Sequence, residues 1–97
     1  MIAYAFHPDA ELEYTEAISF YESRMVGLGR SFAAAVERTV SLIREHPDAG
    51  PPAGVDRRRW LVSRFPYSIV YRLEPESVVI VAVAHQSRRP GYWRRRK

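Results

Sequence analysis

The groups in this 97-residue chain that could do chemistry are three histidines, an unusual number of arginines and a short run of carboxylates. His85 is best placed to move a proton at neutral pH, because an unperturbed imidazole titrates near ~6.5. It stands three residues before Arg88, and a guanidinium's planar fork of donors suits phosphate or carboxylate. The competing reading of His85 is a strand-end residue bonded to the backbone of the tail. His7 and His46 flank helix termini, and neither has metal-ligand spacing with His85, so no metal and no cofactor are expected. The absence of cysteine removes a disulfide framework, a thiolate zinc site and a Cys nucleophile. Asp9, Glu11, Glu13 and Glu16 read as a solvated acidic helix face, not as a paired acid/base site.

Charge is unevenly distributed. Residues 1–56 hold 4 basic and 9 acidic residues, a net −5, whereas residues 57–97 hold 11 basic and 2 acidic ones, a net +9. Lys97 is the sole lysine. The basic clusters are Arg57-Arg58-Arg59, Arg64, Arg88-Arg89 and Arg94-Arg95-Arg96. Such a half-chain calls for an anionic partner, either nucleic acid or an acidic protein segment; a solubilising, solvated tail is the bland alternative. Tyr92 and Trp93 offer faces on which bases could stack, or anchors that pin a tail to a sheet.

The elements that must position these groups follow from the apolar pattern. Ile2–Phe6 reads as a strand, ended by His7-Pro8. Ala10, Tyr14, Ala17, Ile18, Tyr21 and Met25 make one face of a helix over 9–25, with Glu13, Glu16 and Glu22 off that stripe and solvated. Gly27 and Gly29 permit a tight reversal. Leu28, Phe32, Ala35, Val36, Val40 and Ile43 then make a second helix over 28–46, stopped by Pro47. After the turn-rich loop 48–54 the pattern becomes β: strands over 59–63, 67–73 and 77–84, joined by short hairpin connections. Val78–Ala84 is apolar at both parities and reads as a central strand covered on both faces. The order β-α-α-β-β-β predicts a single α+β domain over 1–97. A helical hairpin packs on one face of a mainly antiparallel four-stranded sheet, with a basic C-terminal tail over 88–97. The other face or its edge is expected to carry the strands' polar residues and the tail. The longest apolar run is far below the ~20 residues that span a bilayer, and Met1–Pro8 lacks the features of a signal peptide. A cytoplasmic protein without a membrane partner is expected.

In combination, Arg64-Phe-Pro-Tyr-Ser-Ile-Val-Tyr71, Val81-Ala-Val-Ala-His85 and Arg88-Arg-Pro-Gly-Tyr-Trp93 resemble the RelE/ParE superfamily of bacterial toxins, in the same order over nearly the whole chain. The resemblance implies a compact α/β toxin of a type II toxin–antitoxin system, blocked by a cognate antitoxin. It also implies one of two activities. RelE-like members cut mRNA on the ribosome without a metal; ParE-like members bind DNA gyrase. Ribonuclease chemistry needs a base for the 2′-OH, cations for the phosphate and an acid for the leaving oxygen. Here Ser68 stands where the RelE pattern has an Arg, Trp93 stands near RelE's terminal Tyr, and Arg57–Arg59 replace RelE lysines. Indole has no acidic hydroxyl, and an arginine with pKa above ~12 is a poor proton donor. The resemblance therefore favours a ParE-like gyrase binder without catalysis, with Arg57, Arg58, Arg59, Arg64, Arg88, Arg89, Tyr92, Trp93, Arg94 and Arg95 meeting target or antitoxin. The enzymatic alternative is a metal-free endoribonuclease built on His85, Arg64, Arg88 and Tyr92, with ribosome and mRNA as partners. A plain nucleic-acid-binding module is the third reading.

Overall fold

A computed structural model describes residues 1–97. The elements are β1 (Ala3–Phe6), α1 (Pro8–Arg24), α2 (Leu28–Glu45), β2 (Arg58–Leu61), β3 (Tyr67–Glu74) and β4 (Ser77–His85). The sheet order is β1-β4-β3-β2, with β1 parallel to β4 and the other two pairings antiparallel. The α+β frame expected from the sequence is the one found, and β4 is a central strand. No helix is long and apolar enough to cross a membrane.

Local chemistry fixes each helix. The His7 ring nitrogen Nδ1 accepts from the Asp9 N–H at 3.0 Å, and Pro8 occupies the first turn, where its missing donor costs nothing. Glu22 is exposed, yet it works as the cap of the next helix: its carboxylate accepts from the N–H groups of Gly27 at 2.9 Å and Gly29 at 3.0 Å. Of the two glycines, only Gly27 lies in the reversal, with φ 91°. Gly29 is already inside α2, where a Cβ would sit 2.6 Å from the Ile18 carbonyl oxygen. Its role is to let the two helices touch, not to break one. Met25 leaves the α1 stripe because the helix ends at Arg24, and it is 61 % exposed.

The main core lies between the helices and one sheet face. Phe32, Val36 and Ile43 from α2 meet Ile69 and Tyr71 from β3 and Val78, Ile80 and Val83 from β4. Burial of these side chains stabilises by about 1.5–3 kcal/mol each before entropy is counted. Tyr71 is fully buried; its hydroxyl donates to the Pro47 carbonyl at 2.9 Å and accepts from the Gly50 N–H at 3.2 Å. This ties the loop after α2 to the sheet, and desolvation by burial raises the Tyr71 pKa.

The opposite face carries the tail, as expected, but not the expected polar character. Polar strand residues do not dominate it. The β3–β4 register slips where Val70 pairs with Ala82 but Tyr71 pairs with Ile80, leaving Val81 as a bulge. As a result Val81 and Ala82 both join Val70, Ala84 and Trp93 in a second, smaller apolar cluster. Trp93, only 7 % exposed, is brought there by the tail, so residues 88–97 fold onto the sheet and are not a free solvated extension.

Candidate functional site

Strand alternation and the tail together build a groove of about 380 Å³ on this second face. β3 and β4 supply its floor: Ser68 and Ala84 are direct cross-strand partners, and Val70 lies beside them. On one side Arg59 rises from β2, opposite Val70, with Pro52 and Ala53 next to it. On the other side the tail contributes Arg88, Arg89, Tyr92, Trp93 and Arg94. No Asp or Glu lines the groove. Arg59, Arg89 and Arg94 have no carboxylate partner anywhere in the structure, since none of them takes part in an ion pair. Three unpaired guanidiniums over an apolar floor are suited to an anionic group carried on an apolar body.

Arg57, Arg58, Arg64 and Arg95 do not line the groove. Arg58 donates to the carbonyls of Asp48 at 3.1 Å and Gly50 at 2.8 Å, holding the loop after α2. Arg57 donates to the Arg96 carbonyl at 3.1 Å. Arg64 and Arg95 are exposed and do not line the groove; Arg64 occupies the β2–β3 connection with φ 72°.

The proton-transfer candidates are each engaged. His85 pairs with Tyr67 at the end of β4, and its ring packs edge-on against Tyr67 with centroids 5.0 Å apart. That is the helix-facing side of the strand, so the imidazole sits at the rim, between the groove and the shallow depression beside α1. Its Nδ1 accepts from the Ser87 N–H at 2.9 Å and lies 2.8 Å from the Ser87 hydroxyl. The Tyr92 hydroxyl donates to Glu13 Oε2 at 2.7 Å. Burial, that hydrogen bond and the Glu13 charge together push the Tyr92 pKa well above its ordinary value. Arg88 lies over the Tyr92 ring at 3.8 Å from its centroid and 4.0 Å from Glu13 Oε2. The structure thus brings His85, Arg88 and Tyr92 into one neighbourhood and leaves Arg64 out of the groove.

Glu13 and Arg96 are the pair that sequence reasoning missed. Glu13 reads as solvated from the sequence, yet both side chains are only 15 % exposed. Arg96 donates from both Nη atoms to the Glu13 carboxylate at 2.8 Å, and from Nη1 to the Val81 carbonyl at 3.0 Å. Glu13 also accepts the Val83 N–H at 3.0 Å. The hydrogen bond to Glu13 is the leading reason that the Arg96 pKa is raised. A signal did exist: Glu13 is three residues after Ala10 and four before Ala17, the two buried residues of α1, so it shares their face.

Comparison with known proteins agrees with this architecture. A family model for the ParE toxin of type II toxin–antitoxin systems, parDE, matches residues 4–90. No curated protein sequence matches the chain. Among solved structures, the chromosomal ParDE toxin–antitoxin system from P. aeruginosa is similar with a TM-score of 0.71, at 16 % identity, covering 88 % of this chain and 96 % of that one. At that identity the structural likeness speaks for the fold. With the family model covering nearly all of the sequence from β1 into the tail, the chain belongs to the ParE family of type II toxin–antitoxin toxins.

Proposed function

We propose that this ParE-family toxin acts by gripping a protein, DNA gyrase, through its guanidinium-lined groove, and that it has no hydrolytic activity of its own. The observation that carries this reading is the distribution of committed groups. The Tyr92 hydroxyl and His85 Nδ1 are already hydrogen-bonded within the chain, whereas Arg59, Arg89 and Arg94 are not ion-paired. A surface with unpaired cations, and with the Tyr92 hydroxyl and one His85 ring nitrogen already committed, is better suited to holding an anionic partner than to general acid catalysis. Arg88, Tyr92 and Trp93 form the tail wall of that surface, Arg58 holds the loop after α2, and Arg57 bonds the tail at the Arg96 carbonyl.

A cognate antitoxin would neutralise the toxin with an acidic, amphipathic segment that orders as it binds. The apolar part of such a segment has a counterpart in Leu12, Phe20, Met25 and Val26, all exposed on or just beyond α1, with Val26 at 90 %. The site of action is the cytoplasm, where gyrase works. The endonuclease reading draws on one specific feature: His85 is hydrogen-bonded through Nδ1 and borders the groove next to Arg88.

Supercoiling by purified gyrase, with and without the protein, separates the two. Inhibition at near-stoichiometric toxin, relieved by the antitoxin, is the expected outcome. Untouched gyrase at large toxin excess, together with mRNA cleavage in a translation extract that His85→Ala abolishes, would replace the binding reading with the enzymatic one.

A further inference from the structure

Half of the groove is made by a segment with no place in the sheet. Residues 92–97 have only local backbone bonds, such as Arg94 N–H to Gly91 and Arg96 N–H to Trp93. Every long-range hydrogen bond of these residues runs through Glu13 or Arg96: Tyr92 hydroxyl to Glu13, Arg96 to Glu13 and to the Val81 carbonyl, and Arg57 to the Arg96 carbonyl. Asp9 adds a 3.8 Å ion-pair contact to Arg96. Glu13 itself lies on α1, outside the groove.

We propose that Glu13 is the positioning residue of the groove, a latch on α1 that holds the tail in place and with it the guanidiniums of Arg88, Arg89 and Arg94. One carboxylate achieves this because the β-bulge and the end of β1 leave a stretch of β4 edge without a strand partner. β1 pairs with β4 only as far as Ile80, and the His7 N–H takes the Ile80 carbonyl. Beyond that point Glu13 accepts the Val83 N–H while Arg96 donates to the Val81 carbonyl. The paired side chains do there what a neighbouring strand would do, satisfying edge groups that would otherwise face a lost hydrogen bond. Removing either side chain frees the edge groups and the tail together, while the helix-side core, which contains no tail residue, keeps its contacts.

The functional half of this inference rests on the gyrase-gripping reading; the structural half does not. In a Trp60→Phe background Trp93 is the sole tryptophan of the full chain, so its emission and acrylamide quenching report the tail alone. Glu13→Ala and Arg96→Met are each expected to raise quenching by about threefold or more and shift emission to the red, with helical circular dichroism retained. Glu13→Gln, which keeps one acceptor oxygen for either Tyr92 or Val83 but not both, and no charge for Arg96, should fall between. Gyrase inhibition should drop by about tenfold in step with Trp93 exposure. Should Glu13→Ala fail to fold, Arg96→Met decides alone, since Arg96 lies outside the main core. A protected Trp93 in folded Arg96→Met would overturn the latch. An exposed Trp93 with undiminished inhibition would overturn the positioning role. An exposed Trp93 in a protein whose wild type never inhibits gyrase would support the latch and overturn the target.

Discussion

The two faces of the sheet are held in different ways. The helix-side face is covered by elements with their own backbone ladders, and its contacts are broad and apolar: Phe32 alone packs its ring within 4.9–6.4 Å, centroid to centroid, of Tyr14, Tyr21, Phe65 and Tyr67. The tail-side face is covered by a segment without a ladder, one indole plug and one carboxylate–guanidinium pair. Redundancy on the first face makes it the source of stability. Dependence on a few side chains on the second makes it the place where function can be lost with the fold intact.

Substitutions can sharpen or break this contrast. Phe32→Ala should show the largest effect, about 3–5 kcal/mol, because a fully buried aromatic leaves a cavity that two helices and a sheet cannot close. A denaturant midpoint by circular dichroism checks it, and a cost like that of a surface change would erase the distinction between the faces. Tyr71→Phe should cost about 1–3 kcal/mol, since it leaves the Gly50 N–H without its acceptor and the Pro47 carbonyl without its donor. Trp93→Ala should cost about 1–2 kcal/mol, below the usual penalty for a core tryptophan, because the tail can lift away without disturbing the ladder. Its cost in gyrase inhibition should be disproportionately large. Trp93→Ala unfolding the whole chain would show the second face to be as integral as the first.

Alkaline pH probes both faces through their tyrosines. Burial, then the charge of Glu37 and the hydrogen bond to it, push the Tyr14 pKa from 10.0 up to about 12. Tyr21, Tyr67, Tyr71 and Tyr92 shift in the same direction, with burial as the leading cause in each. An unfolded tyrosine loses its proton near 10.0 while the folded one keeps it, so between these pH values the native state binds more protons than the unfolded chain. The stabilisation is complete below the unfolded value and is lost as pH rises through the folded one. Denaturation midpoints should therefore decline above pH 10, and Tyr14→Phe should flatten part of that decline. A profile unchanged by Tyr14→Phe would contradict the assignment.

What the sequence made legible follows the same division. α1, α2 and three of the strands end within one residue of where periodicity places them, because their apolar stripes meet one continuous core. β2 stops at Leu61, two residues earlier than expected. Val62 is still buried and bonded to Tyr67, but it is no longer in the ladder. The groove's cations were visible as composition; which of them stay unpaired was not. Arg57 and Arg58 look like Arg59 in sequence, yet strand alternation sends Arg58 to the loop carbonyls and Arg59 to the groove. The Glu13–Arg96 latch spans 83 positions, and no local pattern reports a contact of that range. The bulge at Val81 was equally hidden, because a run apolar at both parities conceals a slip of register.

The smallest expected effect on stability belongs to the triple substitution Arg59→Ala, Arg89→Ala, Arg94→Ala. Three exposed guanidiniums without carboxylate partners should leave the unfolding midpoint within about 0.5 kcal/mol of wild type. Gyrase supercoiling titrated with this variant beside the wild-type toxin is the most direct test of a groove that binds through its free cations. Wild type should inhibit, with inhibition that weakens as salt is raised, and the triple variant should need about tenfold more protein or more for the same effect. Equal inhibition by the two proteins would contradict a gripping groove outright.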